Sequence, residues 1–180
     1  MTQSNTASSS RAPLRVALIG FGTVGSSVAR ILVERPELAS RLTLTHIYNR
    51  DVARKRVDWV PSSVTWTERI EDVLAGKPDV VVEVVGGVEP AADWVRRALL
   101  QGASVVTANK MLLAAKGPEL LALAAKQGVQ LRFEAAVGGG VPLIHGVREG
   151  LAGDQLLKVA GILRSEEHTS ELQSHLNLVC

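Results

Sequence analysis

The chain has 180 residues, 46% of them hydrophobic, and its 20 Lys and Arg against 18 Asp and Glu give a formal net charge of +2. The apolar content excludes a disordered chain, and the near balance of charge excludes a protein that coats nucleic acid. The length fits one domain or at most two.

The only cysteine is Cys180, which excludes an intramolecular disulfide and a cysteine-based metal cluster, so we expect a cytoplasmic protein. No apolar run approaches the roughly 18 residues that a membrane-spanning helix needs. Residues 1–13 are polar and predict a disordered leader. We therefore expect a small-molecule substrate and neither a nucleic-acid nor a membrane partner.

Strands and helices alternate along the chain from Leu14 onward. The β-branched run from Leu14 to Ile19 predicts a buried first strand, and the apolar stripe that begins at Val24 predicts a helix that ends at Pro36. The charged, irregular segment from Arg50 to Trp66 predicts a loop with a short helix. Further strands are predicted at 42–48, 79–85, 104–107 and 129–135, with helices at 90–102 and 118–128.

Five strands joined by helices imply right-handed crossovers and a parallel sheet that is covered on both faces. The expected fold class is therefore α/β, a Rossmann-type doubly wound parallel sheet, over residues 14–137. Residues 138–163, with a helix at 142–151 and a strand at 156–163, are expected to form a hinge and the start of a second α+β domain. Residues 164–180 resemble translated adapter or vector sequence, so we expect a non-native tail.

A GxGxxG motif lies directly after the first predicted strand and opens the first helix, the context in which this motif binds a dinucleotide. The first glycine permits a tight turn, the second lets a pyrophosphate approach the main chain, and the third lets the helix lie close to the strand. The pyrophosphate would face unpaired N–H groups at the positive end of the helix dipole. The alternative is a glycine-rich turn that binds nothing. The residues expected to bind the cofactor are Gly20, Phe21, Gly22, Thr23, Val24 and Gly25.

The end of the second strand predicts which cofactor is preferred. An NAD-selecting site usually carries Asp or Glu there, whereas this strand ends in Tyr48, Asn49 and Arg50. A guanidinium binds a 2′-phosphate through two charge-assisted hydrogen bonds, so Arg50 favours NADP, with NAD as the second choice. The alternative is a solvated Arg50 that pairs with Asp51.

Further candidates follow the next two strands, at the sheet edge where open α/β folds bind ligands. Gly86 leaves room for a cofactor, and Thr107 and Lys110 follow the strand after it. A cation at Lys110 can polarise a carbonyl or hold a carboxylate while hydride is exchanged, so this lysine is the candidate catalytic residue. The alternative is an ordinary solvated loop lysine.

A glycine run follows Glu134 at the end of the last predicted strand. Such a run can turn several carbonyls inward and, with the carboxylate, hold a hard cation through oxygen atoms. The alternative is a hinge between domains.

Four motifs taken together resemble homoserine dehydrogenase: GFGTVG at 20–25, VVEVVGG at 81–87, TANK at 107–110 and EAAVGGGVP at 134–142. The resemblance implies reversible oxidation of L-homoserine to L-aspartate 4-semialdehyde with NAD(P), on the route to threonine, methionine and isoleucine. It implies a homodimer or larger oligomer at full length, and a Lys110 that contacts cofactor and substrate. It also implies a sodium ion held mainly by backbone oxygens at Glu134, Val137, Gly139 and Val141.

In that family, a strand like the one at 156–163 leads into an Asn-Gly-Thr turn and a substrate domain, whereas here the foreign-looking tail begins at Arg164. We therefore expect little or no activity from this polypeptide. Two other interpretations stay open. One is a different Rossmann oxidoreductase that acts on a small amino acid, and the other is a non-catalytic NADP-binding module.

Overall fold

A computed structural model of the chain describes residues 12–138 and 141–153. The strands are β1 (Leu14–Ile19), β2 (Leu42–Tyr48), β3 (Thr65–Thr67), β4 (Val80–Glu83), β5 (Ser104–Thr107) and β6 (Leu131–Arg132). The helices are α1 (Thr23–Glu34), α2 (Pro36–Ala39), α3 (Val52–Lys55), α4 (Ile70–Ala75), α5 (Ala91–Leu100), α6 (Lys110–Gln127) and α7 (Leu143–Gly150), and a 3-10 turn covers Glu134–Ala136.

The strands form a six-stranded parallel sheet within the described residues, in the order β3-β2-β1-β4-β5-β6. This order is that of a doubly wound nucleotide-binding sheet, in which β2 and β3 are added on one side of β1 and the last three strands on its other side. The predicted Rossmann-type fold class is confirmed.

The chain forms two compact units, which divide after Val82. In the first unit, β1 pairs in parallel with β2, and the last four residues of β1 are buried. Arg15 fixes the start of this strand, because its main-chain N and its Nε both donate to Asp79 Oδ2, at 2.7 and 3.2 Å. The core of the first unit is therefore built on β1.

The second unit is built around β5, which pairs in parallel with β6. The buried side chains of Val95 and Leu99 on α5 and of Leu112 and Leu120 on α6 contribute to its core. Helix α6 ends at Gly128, whose φ of 67° lies in the left-handed region that favours glycine.

One strand, β3, and two helices, α2 and α4, are missing from the sequence prediction. The segment from Arg50 to Trp66, expected to be a loop with a short helix, contains α3 and leads into β3, and α4 follows. Strand β3 has three residues, Thr-Trp-Thr, and lies at the edge of the sheet. A strand this short shows too little alternation to be recognised from its sequence.

Two predicted boundaries, the start of α6 and the end of β6, differ from the structure by three residues or more. Helix α6 was predicted to begin at Pro118, but it starts at Lys110 and contains this proline. The earlier start is stabilised by the side chain of Asn109, which caps the helix. Strand β6 ends at Arg132 instead of Ala135, because the chain enters the 3-10 turn.

Several predictions fall outside the described residues: the leader up to residue 11, Gly139, the strand at 156–163 and the tail at 164–180. The domain boundary after residue 137 stays a prediction. Among the residues that the structure describes, no helix combines the length and the apolar character needed to cross a lipid bilayer.

Candidate functional site

The glycine motif forms the connection between β1 and α1. Gly20 has a φ of 107°, a conformation that favours glycine, and its N–H donates to the carbonyl oxygen of Tyr48 at 3.0 Å. Gly22 is the N-terminal capping residue of α1, where no side-chain cap is formed and the first turn carries no acidic residue. The helix therefore presents main-chain N–H groups that no described side chain caps.

The space above Gly22 is open. Its φ of −91° suits any residue, and a Cβ added to it would have no atom within 4 Å. Neither backbone strain nor packing within the described protein therefore requires glycine at this position. An open space beside uncapped N–H groups is what a phosphate group needs. Gly25, three residues on, is buried.

The side chain of Phe21 lies in the core of the first unit, where it is 4% exposed. Its ring centroid is 4.7 Å from that of Trp66 and 6.0 Å from that of Trp59, and the Arg30 guanidinium stacks 4.4 Å from the centroid of Trp59. The predicted role of Phe21 in cofactor binding is therefore limited to its main chain. Thr23 and Val24 have exposed side chains.

Arg50 is exposed directly after β2. The Asp51 carboxylate does not pair with it in the described structure but caps α3, by accepting from the N–H of Arg54 at 3.0 Å. Burial raises the pKa of the Tyr48 phenol, and the positive charge of Arg50 opposes that shift. Arg50 thus presents a guanidinium beside the end of β2.

In the second unit, the turn after β4 contains Gly86 and Gly87, with φ values of 77° and 76°. Thr107 is the last residue of β5, Asn109 follows two residues later, and both are almost fully buried. The Asn109 side-chain oxygen accepts from the N–H of Leu112 at 3.1 Å and so caps α6. The exposed Lys110 is the first residue of that helix.

Two residues of functional interest were not predicted from the sequence: Asn109, and Glu83, a fully buried carboxylate at the end of β4. For Glu83 a signal was present, because a single charged residue interrupts the apolar run from Val80 to Val85. A charge inside a buried strand is rarely tolerated without bonded partners.

Three of the predicted sodium positions, Glu134, Val137 and Val141, lie in the described part of the chain, and the side chain of Glu134 contacts the start of α7. Glu134 Oε1 accepts from the N–H of Ile144 at 2.9 Å, and Oε2 from the N–H of His145 at 2.8 Å. Val137 is buried, whereas Val141 is exposed. No group of three or more His, Cys, Asp or Glu side chains that would suit a metal ion occurs in the described part of the chain.

The family model for the NAD-binding domain of homoserine dehydrogenase matches residues 20–134, well over half of the chain. The chain belongs to the homoserine dehydrogenase family. This match confirms the predicted cofactor class, NAD or NADP. The preference for NADP, the sodium ion and the roles of individual residues stay predictions.

Comparison with homoserine dehydrogenases shows how much of them this chain spans. The enzyme of Bacillus subtilis strain 168 is 38% identical to it over 155 residues, which are 83% of this chain and 36% of that relative. The chain therefore spans about a third of the length of the curated relatives it matches.

Two solved homoserine dehydrogenases have the same fold as the chain. The one from Thiobacillus denitrificans aligns with a TM-score of 0.70 at 36% identity, over 78% of this chain and 34% of that one. A hyperthermophilic archaeal homoserine dehydrogenase in complex with NADPH aligns with a TM-score of 0.66 at 27% identity, over 78% of this chain and 50% of that one.

Proposed function

We propose that the protein acts as an NADP-dependent homoserine dehydrogenase, which interconverts L-homoserine and L-aspartate 4-semialdehyde, and that this chain supplies the cofactor site. The observation that carries the proposal is the start of α1, where uncapped N–H groups adjoin the open space above Gly22 in a chain of this family. A relative of known structure, the hyperthermophilic archaeal enzyme, is in complex with NADPH.

The residues of the first unit suit the phosphates of the cofactor. The pyrophosphate binds to main-chain N–H groups of the Gly20–Gly25 loop, where the helix dipole favours negative charge. Arg50 binds the 2′-phosphate of the adenosine part, because its exposed guanidinium offers two parallel donors and does not pair with Asp51. This second contact is what distinguishes NADP from NAD.

The residues of the second unit suit the reacting end of the cofactor. When bound, the nicotinamide ring supplies the hydride acceptor for the carbinol carbon of the substrate. Lys110 Nζ donates to the substrate oxygen and stabilises the charge that develops there. Gly86 and Thr107 bind the cofactor beside it.

The placement of Lys110 supports a functional role over an ordinary surface role. A cation in the first turn of a helix faces the positive end of the dipole, which costs about 0.3–1 kcal/mol. The first turn of α6 contains no acidic residue. A residue that opposes local stability is expected where the chemistry requires it.

Glu134, Val137, Gly139 and Val141 hold a sodium ion in this proposal. Each carboxylate oxygen of Glu134 accepts one N–H and keeps lone-pair capacity for a cation. Hard cations take such carboxylate and carbonyl oxygens as ligands. A rise of the melting temperature in NaCl, relative to choline chloride at equal ionic strength, is expected, and Glu134→Ala should abolish it.

Titration of the 180-residue chain with NADPH tests the cofactor half of the proposal. Saturable quenching of tryptophan fluorescence is expected, accompanied by enhanced emission of the bound nicotinamide. Chain unfolded in urea is the control. A folded sample that shows no saturable binding would contradict the proposal.

Turnover separates an enzyme from a non-catalytic NADP-binding module. We expect homoserine-dependent reduction of NADP by a chimera in which Leu163 is followed by the remainder of the Bacillus subtilis relative. A chimera that folds and binds NADPH, but reduces no NADP when homoserine is added, would favour the module.

A further inference from the structure

The side chain of Glu83 is a buried carboxyl group that the proposed chemistry does not use. It lies at the end of β4 with 0% exposure. It forms no ion pair with any Lys, Arg or His that the structure describes. Burying a carboxylate away from water costs roughly several kcal/mol unless hydrogen-bond donors replace the water that it loses.

The donors that replace water come from two separate turns. Glu83 Oε1 accepts from the main-chain N–H groups of Val85 and Gly86, at 2.9 and 3.3 Å, in the turn after β4. Oε2 accepts from the hydroxyl of Thr107, the last residue of β5, at 2.5 Å, and Oε1 also accepts from Asn109 Nδ2, in the turn after β5, at 3.4 Å. One carboxylate therefore joins the two turns.

Asn109 forms a second link between the same turns. Its Nδ2 donates to the carbonyl oxygen of Gly87 at 2.6 Å, and its main-chain N–H donates to Thr107 Oγ1 at 3.0 Å. Its side-chain oxygen caps α6. The network that begins at Glu83 thus ends at the residue that immediately precedes Lys110.

We propose that Glu83 is a positioning residue, which holds the Gly86 turn and the start of α6 in the arrangement that binds the nicotinamide half of the cofactor. This inference rests on the proposed function. An apolar side chain would fill the same space at a lower desolvation cost. It would leave the N–H groups of Val85 and Gly86 without their acceptor and the two turns without their link.

Two ligands separate positioning from general stability. NADPH contains both halves of the cofactor, whereas 2′,5′-ADP contains only the adenosine half, which the proposed function assigns to residues of the first unit. If the Glu83 network positions the nicotinamide half, its loss weakens NADPH binding at least about tenfold. The affinity for 2′,5′-ADP then stays within about twofold, because all network residues belong to the second unit.

Four variants of the 180-residue chain make the test specific. Glu83→Leu removes both carboxylate oxygens, and with them the acceptors for Val85, Gly86, Thr107 and Asn109. Asn109→Ser keeps a good helix cap but removes both hydrogen bonds of Asn109 Nδ2, to Gly87 and to Glu83. Glu83 keeps its donors at Val85, Gly86 and Thr107 in this variant. Glu83→Gln keeps an acceptor oxygen for the Val85 turn and is expected to bind NADPH within about threefold of the unmodified chain. Glu119→Gln, an exposed change on α6, is the matched control.

The results decide whether the Glu83 network positions the cofactor site or only stabilises the fold. The positioning role is supported if Asn109→Ser and Glu83→Leu lose affinity for NADPH but not for 2′,5′-ADP, and if Glu83→Gln binds NADPH nearly normally. If the leucine variant does not fold, the result for Asn109→Ser alone decides. Equal loss for both ligands, or wild-type NADPH affinity in Asn109→Ser, overturns the inference while leaving the proposed function intact. An unmodified chain that binds neither ligand overturns the proposed function and the inference with it.

Discussion

Phe21 packs edge-on against Trp66, with ring centroids 4.7 Å apart and planes at 69°. The second residue of the glycine motif is therefore an anchor of the core, and it ties the loop after β1 to β3. The main chain of this loop lies over an aromatic cluster of Phe21, Trp59 and Trp66, which holds it in place before any ligand arrives.

Phe21→Ala is expected to lower the free energy of unfolding by about 3–5 kcal/mol, because it leaves a cavity between two indole rings. Phe21→Leu should cost roughly 1 kcal/mol. Urea unfolding followed by tryptophan emission measures both. Val24→Ala is the control within the same motif, since Val24 is 52% exposed and its truncation should change stability by no more than about 0.5 kcal/mol. Similar losses for Phe21→Ala and Val24→Ala would contradict the anchoring role.

Gly22→Ala separates folding from cofactor binding. Because the backbone at Gly22 is relaxed and the Cβ position is open, we expect the free energy of unfolding to stay within about 0.5 kcal/mol. The methyl group would occupy the space of the pyrophosphate, so NADPH affinity should fall at least about tenfold.

The matched control is Gly117→Ala on α6, where the added Cβ would be 3.8 Å from Leu113, an ordinary contact. This change should leave NADPH binding as it is. NADPH titration and thermal unfolding of both variants give the comparison. A Gly22→Ala chain that binds NADPH normally would mean that the phosphate lies elsewhere.

The core of the fold was predictable where a run of apolar residues is bounded by polar residues or glycine. The strand from Leu14 to Ile19 was predicted with its observed bounds, as was the one at Ser104–Thr107. Strand β3 was missed because three residues show no period, and the start of α6 was missed because the proline at 118 is a stronger signal than the cap at Asn109.

The candidate site was predictable where a local motif sets the backbone, as at Gly20 and Gly22. It was not predictable where the role depends on residues distant in sequence. Glu83 meets Thr107 across 24 positions, and Glu134 meets His145 across 11, so spacing alone indicates neither contact. A buried carboxylate can be found from sequence as an anomaly, but its partners require the structure.

Arg50→Ala should lower the affinity for NADPH by about tenfold to a hundredfold and leave the affinity for NADH unchanged. The reason is that the guanidinium is assigned to the 2′-phosphate, which NADH lacks. Arg35→Ala, which removes an exposed cation of the same unit, is the control for the change in net charge. Fluorescence titration with each nucleotide gives the ratio of affinities. If Arg50→Ala lowers the affinities for NADPH and NADH equally, the guanidinium contacts a part that both cofactors share.

Lys110→Ala should weaken NADPH binding by about tenfold, the value expected for one charge-assisted hydrogen bond. The free energy of unfolding should not fall by more than about 0.5 kcal/mol, because the first turn of α6 is an unfavourable place for a cation. Lys116→Ala on the same helix removes an exposed lysine that pairs with Glu119 at 3.8 Å, and it should leave binding unchanged. If Lys110→Ala and Lys116→Ala weaken NADPH binding equally, the cause is the change in net charge and not a specific contact of Lys110.

The stability of the first unit is expected to depend on pH through His46. Burial lowers the pKa of this imidazole below 6.5, although the Asp72 carboxylate partly opposes the shift. An alanine at Gly76 would overlap the imidazole, which shows how closely it is packed. The unfolded chain therefore takes up a proton at a higher pH than the folded chain does, and the free energy of unfolding falls as the pH drops below about 6.5.

His46→Gln should flatten this pH dependence, because glutamine does not titrate. Urea unfolding of the two proteins between about pH 7 and pH 5.5 measures the slope, in a range where most carboxylates of the unfolded chain remain ionised. His145→Gln, an exposed change on α7, should leave the slope as it is. If His46→Gln and the unmodified chain lose stability in parallel on acidification, the imidazole is not the group responsible.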